Sequence, residues 1–200
     1  VKIYWGVVPE NTFPLTYLFQ IRYLADRIKY GDEVVILLAD VHSYLKKRVS
    51  NEIFCIEIAT EKYKKTIIKL FKMLDICEHE WQFIEGHEFQ LDKKYCLDLL
   101  LESREDINKT TNIIGNQVSD SLHLIMQYLD HLYIEADIQI GDISQEKIFK
   151  YLQTKVESLF IIVPSIDKNI LLEDNDIPEE INNNEETDNT YNEETDIDII

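Results

Sequence analysis

No uninterrupted apolar run in this 200-residue chain approaches the roughly 18 residues that a membrane-spanning helix needs. Glycine and proline are scarce, at five and four, which argues against a turn-rich β-sandwich and leans the fold towards helices. Cysteine is sparse as well. Cys55, Cys77 and Cys96 form no CxxC pair, and an odd, scattered set reads as reduced thiols in a cytosol-like compartment. The expectation is of no signal peptide and, with that, of a cytoplasmic location. Basic residues are also short: 20 Lys and Arg face 38 Asp and Glu, for a net charge of −18. Residues 171–200 hold twelve of those acids and no base, which leaves −6 for the rest. A chain without a surplus of Lys and Arg is a poor general nucleic-acid binder, because it cannot release counterions from phosphates. Binding to anionic membranes is disfavoured for the same reason.

What remains is an alternation of apolar strands and amphipathic helices. Residues 2–8, KIYWGVV, read as a buried strand. Because the first residues already read as strand, further sequence is expected before Val1. Residues 15–30 read as a helix, with Leu15, Leu18, Phe19, Leu24, Ala25 and Ile28 at spacings near three and four and Gly31 as its stop. Residues 33–39, EVVILLA, form a second strand. Strand, helix and strand within forty residues make a βαβ unit with parallel strands. A long helix is expected at 53–75, a strand at 81–85, helices at 91–104, 119–134 and 145–152, and a last strand at 158–164. This succession predicts an α/β fold, a Rossmann-like doubly wound parallel sheet with a helical insertion. Ligands of such sheets lie beyond the C-terminal strand ends, which places residues 7–11 and 40–42 near any site. The domain boundary is expected near residue 165, with an acidic low-complexity tail over 166–200. The repeat NEETD at 184–188 and 192–196 cannot bury enough apolar surface to offset ordering, so the tail reads as disordered in isolation.

Several stretches resemble the catalytic domain of tyrosyl-tRNA synthetases of the archaeal and eukaryotic type, class I enzymes. They are YWG at 4–6, EVVILLADVHSYL at 33–45, FIEGHEFQL at 83–91, YCLDL at 95–99, QYLDHLY at 127–133 and DIQIGDISQEKIF at 137–149. The resemblance runs over about residues 2–165, with 104–122 shortened. It implies a tyrosine pocket: Tyr4 and Asp130 for the substrate phenol, Gln127 and Gln145 for its amino group, and His42 in the lining. The third amino-group partner, a tyrosine in the family, falls at His123 here. His123, Gln127 and Asp130 also stand four and three apart, which puts them on one helix face.

The same resemblance implies loss of the ATP site. Where the family has its HIGH signature this chain reads Pro14, Leu15, Thr16 and Tyr17, and Glu10 brings a negative charge near the phosphates. Neither Pro nor Leu can stabilise charge in a transition state. A KMSKS signature is replaced by an acidic stretch with the single lysine Lys168, and no anticodon-binding domain is expected to follow. The expectation is therefore a pseudoenzyme that binds or scaffolds, with no catalytic residue, metal or cofactor. ATP enters only if the chain is a divergent tyrosine–tRNA ligase; a tyrosine-sensing module is the third reading. Expected partners are a second copy or an intact synthetase, joined through residues 85–125, with tyrosine as ligand and no tRNA or membrane. The remaining features read as ordinary surface. Lys62, Lys65, Lys69 and Lys72 form a solvated helix face, Cys77, Glu78 and His79 a turn, Asp40 and His42 are too few for a metal, and His87 and His131 carry no specific signal.

Overall fold

The computed structural model describes residues 1–49, 52–104, 115 and 117–164, within the first of two units of the chain, Val1–Ile166. The tail expected at 166–200 and the second signature region around Lys168 lie outside the described residues.

Five strands form one parallel sheet in the order β3-β2-β1-β4-β5. They are β1 (Lys2–Val7), β2 (Glu33–Leu38), β3 (Trp81–Glu85), β4 (Ile138–Gly141) and β5 (Leu159–Ile162). The chain builds outwards from β1 through β2 to β3, then returns to place β4 on the other side of β1. That reversal opens a crevice at the C-terminal ends of β1 and β4, where doubly wound sheets bind ligands.

The central strands are apolar on both faces because helices cover both. On one face Ile3, Trp5, Val7, Val34, Ile36 and Leu38 pack with Ile21, Leu24 and Ile28 of α1 (Tyr17–Lys29) and with Tyr63, Ile67 and Phe71 of α3 (Ile53–Met73). The helical spacing of those residues is what turns them to the sheet. On the other face Tyr4, Val35 and Leu37 meet Ile134 at the end of α6 (Val118–Ile134). Helix α6 then packs through Ile125, Met126 and Leu129 on Tyr95 of α5 (Lys93–Glu102), and through Leu124 on α7 (Glu146–Leu152) and β5. The insertion between β3 and β4 therefore supplies helices that cover the sheet.

Three elements depart from the sequence reading. DIQIG at 137–141 contains a strand, β4, and residues 40–45 form a short helix, α2 (Asp40–Leu45), where no element was expected. At four residues with Gly141 at the end, β4 is too short to show a period. Another short helix, α4 (His87–Gln90), precedes α5. Among the described residues no helix is long and apolar enough to cross a membrane.

Candidate functional site

A cleft of about 350 Å³ opens at the crevice between β1 and β4. Gly6 and Val8 reach it from the end of β1, and Asp142, Ser144 and Gln145 from the turn after β4. Thr16 and Tyr17 stand at the start of α1, Lys46 and Arg48 follow α2, and His123 and Gln127 come from α6. The β1 and β4 contributors leave strand ends on the same side of the sheet, and the parallel topology gathers those two ends.

The six residues assigned to a tyrosine pocket divide into two groups. His123, Gln127 and Gln145 line the cleft. Tyr4, His42 and Asp130 lie behind them, each at most 1% exposed. Asp130 is the hub of the buried group. Its Oδ1 accepts from Gln90 Nε2 and from the Tyr95 hydroxyl, both at 2.7 Å. Its Oδ2 is 2.8 Å from His42 Nε2. The other His42 nitrogen, Nδ1, lies 2.8 Å from His123 Nδ1. A chain of two imidazoles thus runs from the buried carboxylate to the cleft wall. Burial, with the nearby charge of Asp130, holds the Tyr4 phenol protonated well above its ordinary range, and Tyr95 behaves likewise. Burial, with the adjacent His42 ring and the positive charges of Lys46 and Arg48, drives His123 down to about 2, so it stays neutral.

Tyr4 and Gly6 sit two apart on β1 and share a face. A Cβ on Gly6 would fall 2.7 Å from the Tyr4 hydroxyl, so the phenol lies along the strand towards the cleft and Gly6 leaves it room. Among the described residues that hydroxyl has no hydrogen-bond partner. A carboxylate offers about four acceptor sites, and Asp130 uses three of them.

The opposite end of the cleft is electrostatically closed. Its cations are already paired: Lys46 Nζ with Asp120, and Arg48 with Glu10 at 3.4 Å. At the start of α1 the amides of Tyr17, Leu18 and Phe19 donate to the carbonyls of Pro14, Leu15 and Thr16 at 3.1, 3.1 and 3.2 Å. Amides that a helix N-terminus could offer to an anion are thereby engaged. Asp142 turns inward to its own turn, accepting from the Ser144 amide at 2.7 Å.

No family model matches the chain. The cytoplasmic tyrosine–tRNA ligase of Gallus gallus is 31% identical over 169 residues, covering 80% of this chain and 32% of that protein. The tyrosine–tRNA ligase of Archaeoglobus fulgidus is 31% identical over 157 residues, covering 74% and 46%. The solved Archaeoglobus fulgidus synthetase complexed with L-tyrosine superposes with a TM-score of 0.70 at 27% identity, over 82% of this chain and 54% of that one. The chain is homologous to the tyrosyl-tRNA synthetases of the archaeal and eukaryotic type. It spans about a third to a half of the length of these synthetases. The fold is a tyrosyl-tRNA synthetase-like Rossmann sheet, and its crevice is the one described above.

Against that synthetase frame, sequence reading did not single out Gln90 and Tyr95. Both are buried and both hold Asp130, yet they stand 40 and 35 residues from it. Asp40 does not join His42. It accepts from the His87 and Val41 amides at 2.9 and 2.8 Å, and His87 Nδ1 lies 2.5 Å from it. Asp40, Glu85 and His87 bring ligand-type atoms within 4.8 Å of one another, but Glu85 takes Lys64 at 2.8 Å. Of the lysine stripe on α3, Lys65 and Lys72 pair with Glu61 and Glu78.

Proposed function

We propose that this chain is a tyrosyl-tRNA synthetase-like pseudoenzyme that binds an amino acid of the tyrosine type and does not activate it with ATP. The phosphate end of the cleft carries this reading. Its two cations are neutralised by Asp120 and Glu10, and the amides at the start of α1 are engaged by Pro14, Leu15 and Thr16. Phosphoryl chemistry depends on fixed positive charge and free donors where negative charge develops. With neither, adenylate formation has no stabilised transition state.

The amino-acid end supports ligand binding. Among the described residues the Tyr4 hydroxyl has no partner, and Asp130 has one acceptor site to spare. A phenol placed there both donates and accepts, which selects tyrosine over phenylalanine, because the latter leaves buried polar groups unpaired. His123, Gln127 and Gln145 are placed to meet the amino group. Binding then serves recognition by a protein partner in the cytoplasm: a second copy, or an intact synthetase, seated on the insertion. Neither a metal nor a cofactor is part of this reading, and ATP belongs to the ligase alternative. The test is calorimetric titration with L-tyrosine and L-phenylalanine, alone and with ATP. Binding of tyrosine, weaker binding of phenylalanine and no coupling to ATP are expected. Tyrosine binding strengthened by ATP would contradict the proposal.

A further inference from the structure

We propose that Asp130, acting through His42, sets which nitrogen of His123 carries the proton, so that the cleft wall presents a bare imidazole nitrogen to the ligand's ammonium. The proposal rests on the reading of the cleft as an amino-acid site. The geometry leaves little freedom. A carboxylate only accepts, so the 2.8 Å contact between Asp130 Oδ2 and His42 Nε2 requires the proton on His42 Nε2. A neutral His42 then has a bare Nδ1. The 2.8 Å contact between the two Nδ1 atoms needs a hydrogen, and only His123 can supply it. His123 Nε2 is left bare, with no partner among the described residues, on a side chain that lines the cleft. A doubly protonated His42 would reverse this and turn His123 Nε2 into a donor. That state makes the fully buried His42 ring an imidazolium, and a protonated His123 Nε2 tells it apart from the neutral one.

The consequence is a coupling across the pocket. Asp130 belongs to the phenol end, and His123 to the amino end. One carboxylate therefore fixes hydrogen-bond polarity at both. The arrangement follows a general rule: a buried acid beside a histidine selects its tautomer, and replacing the acid by its amide selects the wrong one. Here Asp130→Asn has a defined outcome. Gln90 and Tyr95 both donate to the Oδ1 position, so they hold the amide oxygen there and turn its NH₂ towards His42. His42 Nε2 then accepts, His42 Nδ1 donates, and His123 carries its proton on Nε2.

The test is ¹⁵N-resolved histidine spectroscopy on the full chain. The wild-type protein is expected to show a protonated, pyrrole-type Nδ1 and a bare, pyridine-type Nε2 at His123, with the converse at His42. Asp130→Asn is expected to exchange the two patterns at both residues; a merely structural aspartate would leave them in place. A protonated His123 Nε2 in the wild type overturns the proposal without recourse to any variant. In parallel, L-tyrosine is titrated against 3-(4-hydroxyphenyl)propionate, which lacks the amine. A preference for tyrosine of about tenfold or more is expected, as for a hydrogen bond to a charged group, and His123→Phe should lower it. Equal affinity with the expected tautomer overturns the ammonium assignment. If neither ligand binds, the amino-acid reading of the cleft fails and takes the ammonium assignment with it, while the spectra still decide the tautomer control.

Discussion

At the scale of single residues, His123 and His87 respond to pH in opposite senses. Burial depresses His123 to about 2, so the folded chain binds fewer protons than the unfolded one between that value and the ordinary histidine range near 6.5. Its contribution is present at neutral pH and is lost as pH falls below about 6.5. His87 is raised, chiefly by its hydrogen bond to Asp40. Its contribution is present below about 6.5 and is lost as pH rises through the elevated value. Because His87 is half-exposed at 51%, solvent screening keeps that contribution under about 1 kcal/mol. Urea midpoints measured from pH 5 to pH 9 should therefore separate two variants. His123→Gln should flatten the loss of stability on the acid side. His87→Ala should cost stability at pH 5–6 and little at pH 9; equal cost at both pH values would contradict the Asp40 pairing. Tyr4→Phe belongs to the same scale. It removes one hydroxyl from the pocket, and tyrosine affinity should fall by about tenfold with an unchanged urea midpoint.

At the scale of elements, Gly141 joins β4 to the cleft. A Cβ there would meet Gln145 Oε1 at 2.0 Å and the ring of Phe149 at 2.7 Å. Gln145 can swing away, but Phe149 is buried against Phe160. Gly141→Ala should cost roughly 1–3 kcal/mol by overpacking and displace Gln145 from the cleft, read as a lower urea midpoint together with weaker tyrosine binding. The sheet was largely legible in the sequence, because β1 and β2 are continuous apolar runs and α1, α3 and α6 carry a clear helical period. Strand β4 was not, since four residues ending in glycine give no alternation, and its place beside β1 is a matter of topology. The candidate site was legible in part. His123 and Gln127 follow from helical spacing. The bond from His42 to His123 joins residues 81 apart, and the holding of Asp130 by Gln90 and Tyr95 joins residues 40 and 35 apart. No local pattern encodes such pairings. The pairing of Arg48 with Glu10 across the cleft was likewise invisible, although the charge of Glu10 itself was not.

At the scale of the whole molecule, the insertion offers a surface. Leu97, Leu100 and Leu101 of α5 are 55%, 64% and 58% exposed, at a spacing that places them on one side of the helix. A homodimer through this side is the expected assembly, and Leu100→Asp should shift it to monomer in light scattering at tens of micromolar. A wild-type monomer under those conditions would contradict it. The excess negative charge resides mostly in residues 171–200, at −12 of −18. Removing residues 171–200 should leave the melting temperature unchanged and weaken association with a basic partner at low salt more than at moderate salt. The central claim is that the amino-acid end of the cleft is kept and the phosphate end is shut. Tyrosine-dependent exchange of pyrophosphate into ATP tests it most directly, run on a preparation shown by calorimetry to bind L-tyrosine. The account predicts exchange indistinguishable from the tyrosine-free background. Tyrosine-dependent exchange at turnover typical of enzymes, about 1 s⁻¹ or faster, would contradict it.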